Sequence, residues 1–393
     1  MLRSWRSQRR WIKNDNGEYS RSACGEPAGA APGKPVLTMS FSPKQIVGAI
    51  LLDWPRYEWQ LRSSWLRIRN RNERLLASPD GRGIACQWQW TSDLYAPKLF
   101  ASLGTRLMAR CMRDWPFKFS KAPDPFDGSP QLSFIVGHRG AERAPLLLST
   151  LATIAAQRGV ACECIVVEQS DRSEIRELLP AWVRYIHTPL PVPELPYCRS
   201  WALNVGARAA KGKALVFHDN DMLIPQAYAA ELWARFQEGY EAVNLKRFVF
   251  YLTDTHSRAI CSAAVLTPPQ PAEAIVQNLE AGGSVAMSRD AFFAIGGFDE
   301  SFIGWGGEDN ELWERAQTRS VWPYAYLPII HLWHPSQPRK GDPENPTARR
   351  QAELSALSPS ERIARLTARE FGHAQRLSGV SAGSWIALSP GAN

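Results

Sequence analysis

The sequence predicts an α/β fold: a Rossmann-like, mostly parallel sheet with helices on both faces, preceded by a helical appendage. Three observations predict it. From Leu132 onward, short runs rich in β-branched residues alternate with longer segments of helical periodicity, the pattern of βαβ units. The strand runs are continuously apolar rather than alternating, as strands covered on both faces are. One of them, Leu215-Val216-Phe217-His218, ends in Asp219-Asn220-Asp221, and the carboxyl end of a parallel strand is where such sheets bind ligands.

Composition narrows the class. The 393 residues are 45% hydrophobic and 21% charged, which describes a chain with a real core rather than a disordered one. A formal net charge of +8 favours anionic partners such as nucleotide phosphates, nucleic acid or an acidic membrane surface. The longest apolar candidate, Ile46 to Leu52, falls far short of the roughly 20 residues needed to span a bilayer. Seven scattered cysteines make no disulfide framework and point to reduced thiols in a cytoplasmic compartment. Cys162 and Cys164 read as packing residues. Of the sixteen tryptophans, Trp54, Trp59, Trp65, Trp88, Trp90 and Trp115 gather in the first third; core and interface come first for them, sugar stacking second.

Taken in order, residues 1–40 begin with Arg3, Arg6, Arg9, Arg10 and Lys13 and dissolve into Gly, Ala, Pro and Ser. A disordered tail, or initiation near Met39, is the expectation, with an organelle transit peptide as the alternative. Residues 41–128 form the helical, Trp/Arg-rich appendage and linker. Ser42-Pro43 opens a helix that Pro55 disrupts, a second helix runs from Trp59 to Leu76, and a third from Ala96 to Met112. The basic face of the third suits a solvated surface first and a membrane surface second. Lys121 to Pro130 is a linker. The α/β domain then occupies 129–346: strand Leu132 to Val136, helix Arg143 to Arg158, strand Cys164 to Val167 with Glu168 at its carboxyl end, strand Val183 to Ile186, helix Arg199 to Ala210, then the strand that ends in Asp219 and Asp221. No G-x-G-x-x-G follows the first strand, which argues against a dinucleotide-binding domain. Residues 347–393 read as a C-terminal helix and tail.

Asp219 and Asp221 read as a D-x-D whose two carboxylates reach one crevice and want a divalent cation; a D-x-D also suits a simple Asx-turn, so the chemistry depends on what accompanies it. Arg199 and Asn204 lie one helix upstream, where Arg199 could pair with phosphate or sugar and Asn204 could brace nearby backbone. Gly304-Trp305-Gly306-Gly307-Glu308-Asp309 sets an indole between glycines and follows it with carboxylates. Helix-dipole complementarity explains the acids; it gives no reason for Trp305, whose ring can stack on a pyranose. His331 and His334 can converge on one ion if the segment turns. Mixed carboxylate and imidazole donors favour Mn²⁺ over Mg²⁺.

In this order, Leu203-Asn204-Val205-Gly206, Phe217-His218-Asp219-Asn220-Asp221, Gly282-Gly283-Ser284, Gly304 to Asp309 and His331 to His334 resemble the catalytic domain of inverting GT-A glycosyltransferases. The likeness is greatest to the β-1,4-galactosyltransferase family and related bacterial polysaccharide glycosyltransferases, and covers Leu132 to Pro346. It implies a GT-A fold and a UDP-sugar donor. It also implies Asp221 and His334 as metal ligands, with His331 standing where the family has a methionine ligand. Asp309 becomes the catalytic base, Glu308 a sugar contact beside it, and Trp305 a wall between donor and acceptor. His138 and Arg139 fall at the uridine site, although Val136-Gly137-His138-Arg139 departs from the family's Pro-Phe-Arg run. Glu168, Asp219 and Gly283 complete the expected donor and acceptor subsites. The segment with Pro335, Gly341, Pro343 and Pro346 corresponds to a lid.

The expected reaction is a single displacement at the anomeric carbon that passes a hexose or N-acetylhexosamine to a saccharide or lipid-linked saccharide in surface polysaccharide synthesis. UDP-galactose and UDP-GalNAc are the preferred donors. Nucleic acid is not an expected partner; peripheral contact with the inner face of a membrane is kept open. Two rivals stand beside this reading. One is a sugar-1-phosphate nucleotidyltransferase, for which Gly137-His138-Arg139-Gly140 is a poor signature; the other is a binding protein that lost catalysis.

Overall fold

Two sheets share the short link that carries the aspartates. The computed structural model describes residues 12–13, 19–20, 42–71, 73–85, 92–191, 195–277, 282–304, 306–335 and 346–375. It divides into two units, Met1–Ser40 and Phe41–Asn393. In the first, Ile12–Lys13 and Tyr19–Ser20 pair antiparallel; the rest of the expected tail lies outside the described residues. Everything below concerns the second unit.

The main sheet contains β1 (Leu132–His138), β2 (Cys162–Ser170), β3 (Arg184–Pro189), β4 (Ala214–His218), β6 (Ala242–Val243) and β9 (Ser284–Ser288), in the spatial order β6-β9-β4-β1-β2-β3. Strands β4, β1, β2 and β3 are parallel, as predicted, while β9 and β6 extend the sheet antiparallel. A second sheet, not foreseen, holds β5 (Met222–Leu223), β10 (Leu327–His331), β7 (Lys246–Tyr251), β8 (Ala274–Gln277) and the pair Ser92–Asp93. Asp219, Asn220 and Asp221 connect β4 of the first sheet to β5 of the second. Strand β5 runs antiparallel to β10, with Met222 opposite His331.

The helices cover both faces of the main sheet. One face is packed by Ala144–Ala155, whose Leu147, Leu151 and Ile154 are buried. The other is packed by Arg199–Ala209, whose Gly206 leans on β1: a Cβ there would lie 2.3 Å from Ile135 Cγ2, so the close approach requires glycine. Cys162 and Cys164 are buried in the core, and burial pushes the Cys162 thiol up to about 12.

The appendage departs from expectation in detail. Ser42 caps α1 (Pro43–Gly48) in a capping box with Gln45. Pro55 does not end the helical stretch. A π-turn over Ala49–Asp53 leads into α2 (Trp54–Ser63), where Pro55 occupies the first turn and its missing N–H costs least. Helix α2 stops at Ser63 rather than running to Leu76. The carbonyls of Leu66 and Ile68 accept hydrogen bonds from Arg247 of β7 instead of continuing a helix. The third helix breaks at Phe100 into Tyr95–Leu99 and α3 (Ala101–Asp114). Leu103, Leu107, Met108 and Cys111 of α3 join Tyr57, Leu61 and Trp65 in a core with Phe248, Phe250 and Ile330 of the second sheet. Trp65 donates to Asp114 Oδ2 at 2.9 Å and Trp115 lies 6.0 Å from Tyr326, so these tryptophans serve packing; Trp88 and Trp90 lie outside the described residues. The appendage thus supports the strand that carries His331.

The C-terminal segment clasps the same domain. Trp201 Nε1 donates to the His373 carbonyl at 2.8 Å, Arg208 Nε to the Phe371 carbonyl at 2.6 Å, and the Gly372 amide to Glu300 Oε1 at 2.8 Å. Phe371 is buried against Phe292 and Phe293.

Candidate active site

The sheet-to-sheet link gathers the three predicted metal ligands. Asp221 is buried. His334 Nε2 lies 3.3 Å from its Oδ2 and His331 Nε2 lies 3.8 Å from its Oδ1, and donor atoms of all three fall within 4.8 Å of one another. Pairing of β5 with β10 fixes His331, which also stacks on Tyr251 at 4.4 Å. His334 follows because the chain turns after β10, tied by the Leu332 amide to the Asp221 carbonyl at 2.8 Å. Its Nδ1 hydrogen-bonds the Pro335 carbonyl at 2.7 Å, which leaves Nε2 aimed at Asp221, the arrangement expected of a ligating imidazole. Asp221 Oδ1 is buried with no hydrogen-bond partner among the described residues. An orphaned carboxylate oxygen beside two imidazoles fits a divalent cation.

Burial would raise the Asp221 carboxyl, but His331, Arg143 and His334 outweigh it and hold it below its ordinary range. Burial lowers His331 despite the neighbouring Asp221, which keeps the ring neutral and able to ligate.

A second cluster forms around Arg199 at the first turn of the helix Arg199–Ala209. Its Nη2 lies 2.6 Å from Asp219 Oδ1 and its Nη1 lies 2.6 Å from Asp309 Oδ1 and 3.8 Å from Glu308 Oε1. Glu308 and Asp309 open the helix Glu308–Ala316, where acids complement the helix dipole. Burial pushes Glu308 up to about 7, with Asp309 adding to the shift and Arg199 opposing it. Asp309 is likewise raised by burial against the pull of Arg199. Asp219 therefore sits with Arg199 and does not join the Asp221 ligand set, and its amide donates to the Gly283 carbonyl at 2.9 Å. Gly283 adopts φ +82, and a side chain there would meet Met222 Cε at 2.2 Å.

The remaining predicted residues serve mostly as supports. His138 is fully buried, with Nδ1 2.9 Å from Asn220 Nδ2 and Nε2 3.0 Å from the Gly140 carbonyl, and burial lowers it to about 4. It is a neutral ring that orients Asn220, not an open nucleotide contact. Glu168 is enclosed as well, accepting from the Glu174 amide at 3.0 and 3.2 Å and from the Tyr185 hydroxyl. Arg139 donates to the Leu195 carbonyl at 2.5 Å and keeps partial exposure. Asn204 is buried and grips the backbone of Phe298, donating to its carbonyl at 3.0 Å and accepting from its amide at 2.9 Å. Trp305 and the lid residues Gly341 and Pro343 lie outside the described residues.

Sequence reading missed Arg143, whose Nη2 contacts Asp221 Oδ2. Its signal was position: a cation immediately after the first strand, at the carboxyl end of the sheet, read only as the start of a helix.

Parts of the chain are similar to known proteins. Residues 141–293 match the model for glycosyl transferase family 2, and residues 271–323 match the model described as the N-terminal domain of galactosyltransferase. The human chondroitin sulfate N-acetylgalactosaminyltransferase 2 is 31% identical over 150 residues, which is 35% of this chain and 26% of the relative. A probable N-acetylgalactosaminyltransferase 9 of Caenorhabditis elegans is 34% identical over 95 residues, 24% of this chain and 16% of the relative. The chain thus spans about a quarter or less of the length of these relatives. The solved mannosyltransferase PcManGT from Pyrobaculum calidifontis, in complex with GDP-Man and Mn²⁺, covers 67% of this chain and 73% of its own. The two chains are 17% identical, with a TM-score of 0.36. Together the two matches run from residue 141 to 323, where the chain is similar to glycosyltransferases: to family 2 over the first part and to the galactosyltransferases over the last.

Proposed function

We propose that the protein is an inverting, metal-dependent hexosyltransferase that transfers N-acetylgalactosamine from UDP-GalNAc to a saccharide or lipid-linked saccharide in surface polysaccharide synthesis. The observation that carries it is the meeting of Asp221, His331 and His334 from separate segments, with Asp219 on the same link two residues away and joined through Arg199 to Asp309. The sugar follows from the N-acetylgalactosaminyltransferases among the relatives.

Asp221, His331 and His334 would hold the ion, Mn²⁺ ahead of Mg²⁺ because two of the three donors are imidazoles. When bound, the cation supplies positive charge for the diphosphate of the leaving group. Arg143, which pairs with Asp221, would be free with the ion in place to pair with a phosphate oxygen. Asp309 takes the proton of the acceptor hydroxyl; its raised pKa makes it a stronger base than an exposed aspartate. The acceptor oxygen forms its bond to the anomeric carbon as the bond to the diphosphate breaks, and the electron pair leaves on UDP. Arg199 must give up part of its hold on Asp309 as the sugars enter. Glu308, close to half-protonated near neutral pH, can donate to or accept from a sugar hydroxyl.

The test is UDP release from UDP-GalNAc, UDP-galactose and UDP-GlcNAc with saccharide acceptors, in Mn²⁺, in Mg²⁺ and in EDTA, with the product anomer read by NMR. Release with UDP-GalNAc, loss in EDTA and inverted configuration are expected. Pyrophosphate as product, full turnover in EDTA, or retained configuration would overturn the corresponding part.

A further inference from the structure

The helical stretch from Pro43 to Ser63 has one face that no described residue of the second unit covers. Its inner face buries Ala49, Asp53, Tyr57, Gln60 and Leu61. Its outer face presents Ile46, Val47, Ile50, Leu51, Leu52 and Trp59, each between 38% and 66% exposed. Ile46 with Ile50, and Val47 with Leu51, stand one turn apart and make a continuous apolar stripe. Lone exposed apolar residues are ordinary; six of them along one helical stretch from α1 through the π-turn to α2 are not.

Charge identifies what would cover this face. Residues 42–76 contain 7 Lys and Arg against 3 Asp and Glu, an excess of 4, while residues 77–393 balance at 32 against 32. The two acids of the stretch are engaged: Asp53 is buried between Arg56 at 3.0 Å and Arg71 at 2.6 Å, and Glu58 is paired with Arg106. Exposed Lys44 and Arg62 bracket the stripe in sequence. Arg71 lies against it at Gly48, where an added Cβ would be 2.8 Å from its Nη1. A second copy of the chain would bring the same excess of positive charge to the same face and be repelled.

We propose that this face docks on an anionic lipid bilayer, with Ile46, Val47, Ile50, Leu51, Leu52 and Trp59 entering the headgroup boundary and the surrounding Arg and Lys meeting lipid phosphates. An apolar face and a basic cluster are the two signals that stable peripheral attachment requires. No helix among the described residues is long and apolar enough to cross a membrane, so the contact lies in the plane of the surface.

The full-length chain tests this by co-sedimentation with vesicles of phosphatidylcholine alone and of phosphatidylcholine mixed equally with phosphatidylglycerol. Binding to the mixed vesicles, weakened by salt, with little binding to the neutral ones, is expected. Val47→Glu combined with Leu51→Glu alters only exposed positions and should lower partitioning about tenfold or more, with circular dichroism and melting temperature unchanged. Lys44→Glu with Arg62→Glu should lower it less, and only at low salt. Equal binding by wild type and the Val47/Leu51 variant, equal binding to both vesicle types, or a stable dimer that the Val47/Leu51 variant dissociates would each overturn the proposal.

Discussion

Asp221 and the pair Glu308–Asp309 are tuned in opposite directions, although Asp221 and Glu308 are both buried and Asp309 is half-buried beside them. Around Asp221 the neighbours are Arg143, His331 and His334, and the carboxyl is held below its usual range although burial opposes this. Around Glu308 and Asp309 the neighbours include each other and Asp219, with Arg199, and for Asp309 also Lys246, pulling the other way, and both are raised. Burial raises the carboxyl in every case and is the largest cause at Glu308 and Asp309; only at Asp221 do the neighbouring charges together reverse it, leaving one pocket suited to a cation and the other to a proton.

The largest test of that contrast is Asp309→Asn, which should cut turnover about 10³-fold while UDP binding by calorimetry stays within a factor of two or so. Unchanged turnover would remove Asp309 as the base. Next, Asp221→Asn should weaken Mn²⁺ affinity about 100-fold, followed by the free-Mn²⁺ signal in electron paramagnetic resonance; wild-type affinity would mean that the cluster is not the metal site. Glu308 sharpens the other side. Its carboxyl titrates at about 7 in the fold against ~4.3 in an unfolded chain. Its destabilising effect is therefore absent at low pH, grows as pH rises between those values and is complete above 7. Glu308→Gln should gain on the order of 2 kcal/mol over wild type at pH 8 and almost nothing at pH 4, by urea denaturation. A gain that is the same at both pH values would show that Glu308 is not raised. The smallest effect belongs to Arg143→Gln. Losing a partly exposed ion pair worth about 1 kcal/mol should tighten Mn²⁺ binding without nucleotide about fivefold; weaker binding would make Arg143 a support of the site instead of a competitor for it.

The parallel strands were legible because buried apolar runs and helical stripes have different periods, and β1 to β4 fall where those runs fall. Asp221, His331 and His334 were legible as residue types, but their meeting depends on β5 pairing with β10, a contact between distant segments that local pattern does not encode. The second sheet was missed for the same reason: β7 and β8 are short runs whose partners lie far along the chain. In the appendage, helical periodicity from Trp59 suggested a long helix, and Arg247, a buried cation from another element, took the carbonyls that would have continued it. His138 and Glu168 were placed at the right strand ends, yet sequence does not tell whether an end residue faces the crevice or closes on its own backbone.

The docking of residues 369–373 onto Trp201, Arg208 and Glu300 has a practical consequence for anyone trimming the gene. A version ending at the family-like boundary near residue 346 would strand the Glu300 carboxylate and the Trp201 indole N–H without these partners and bare the aromatic surface of Phe292 and Phe293. Soluble yield should therefore fall off sharply between versions that stop just after His373 and those that stop just before Arg369.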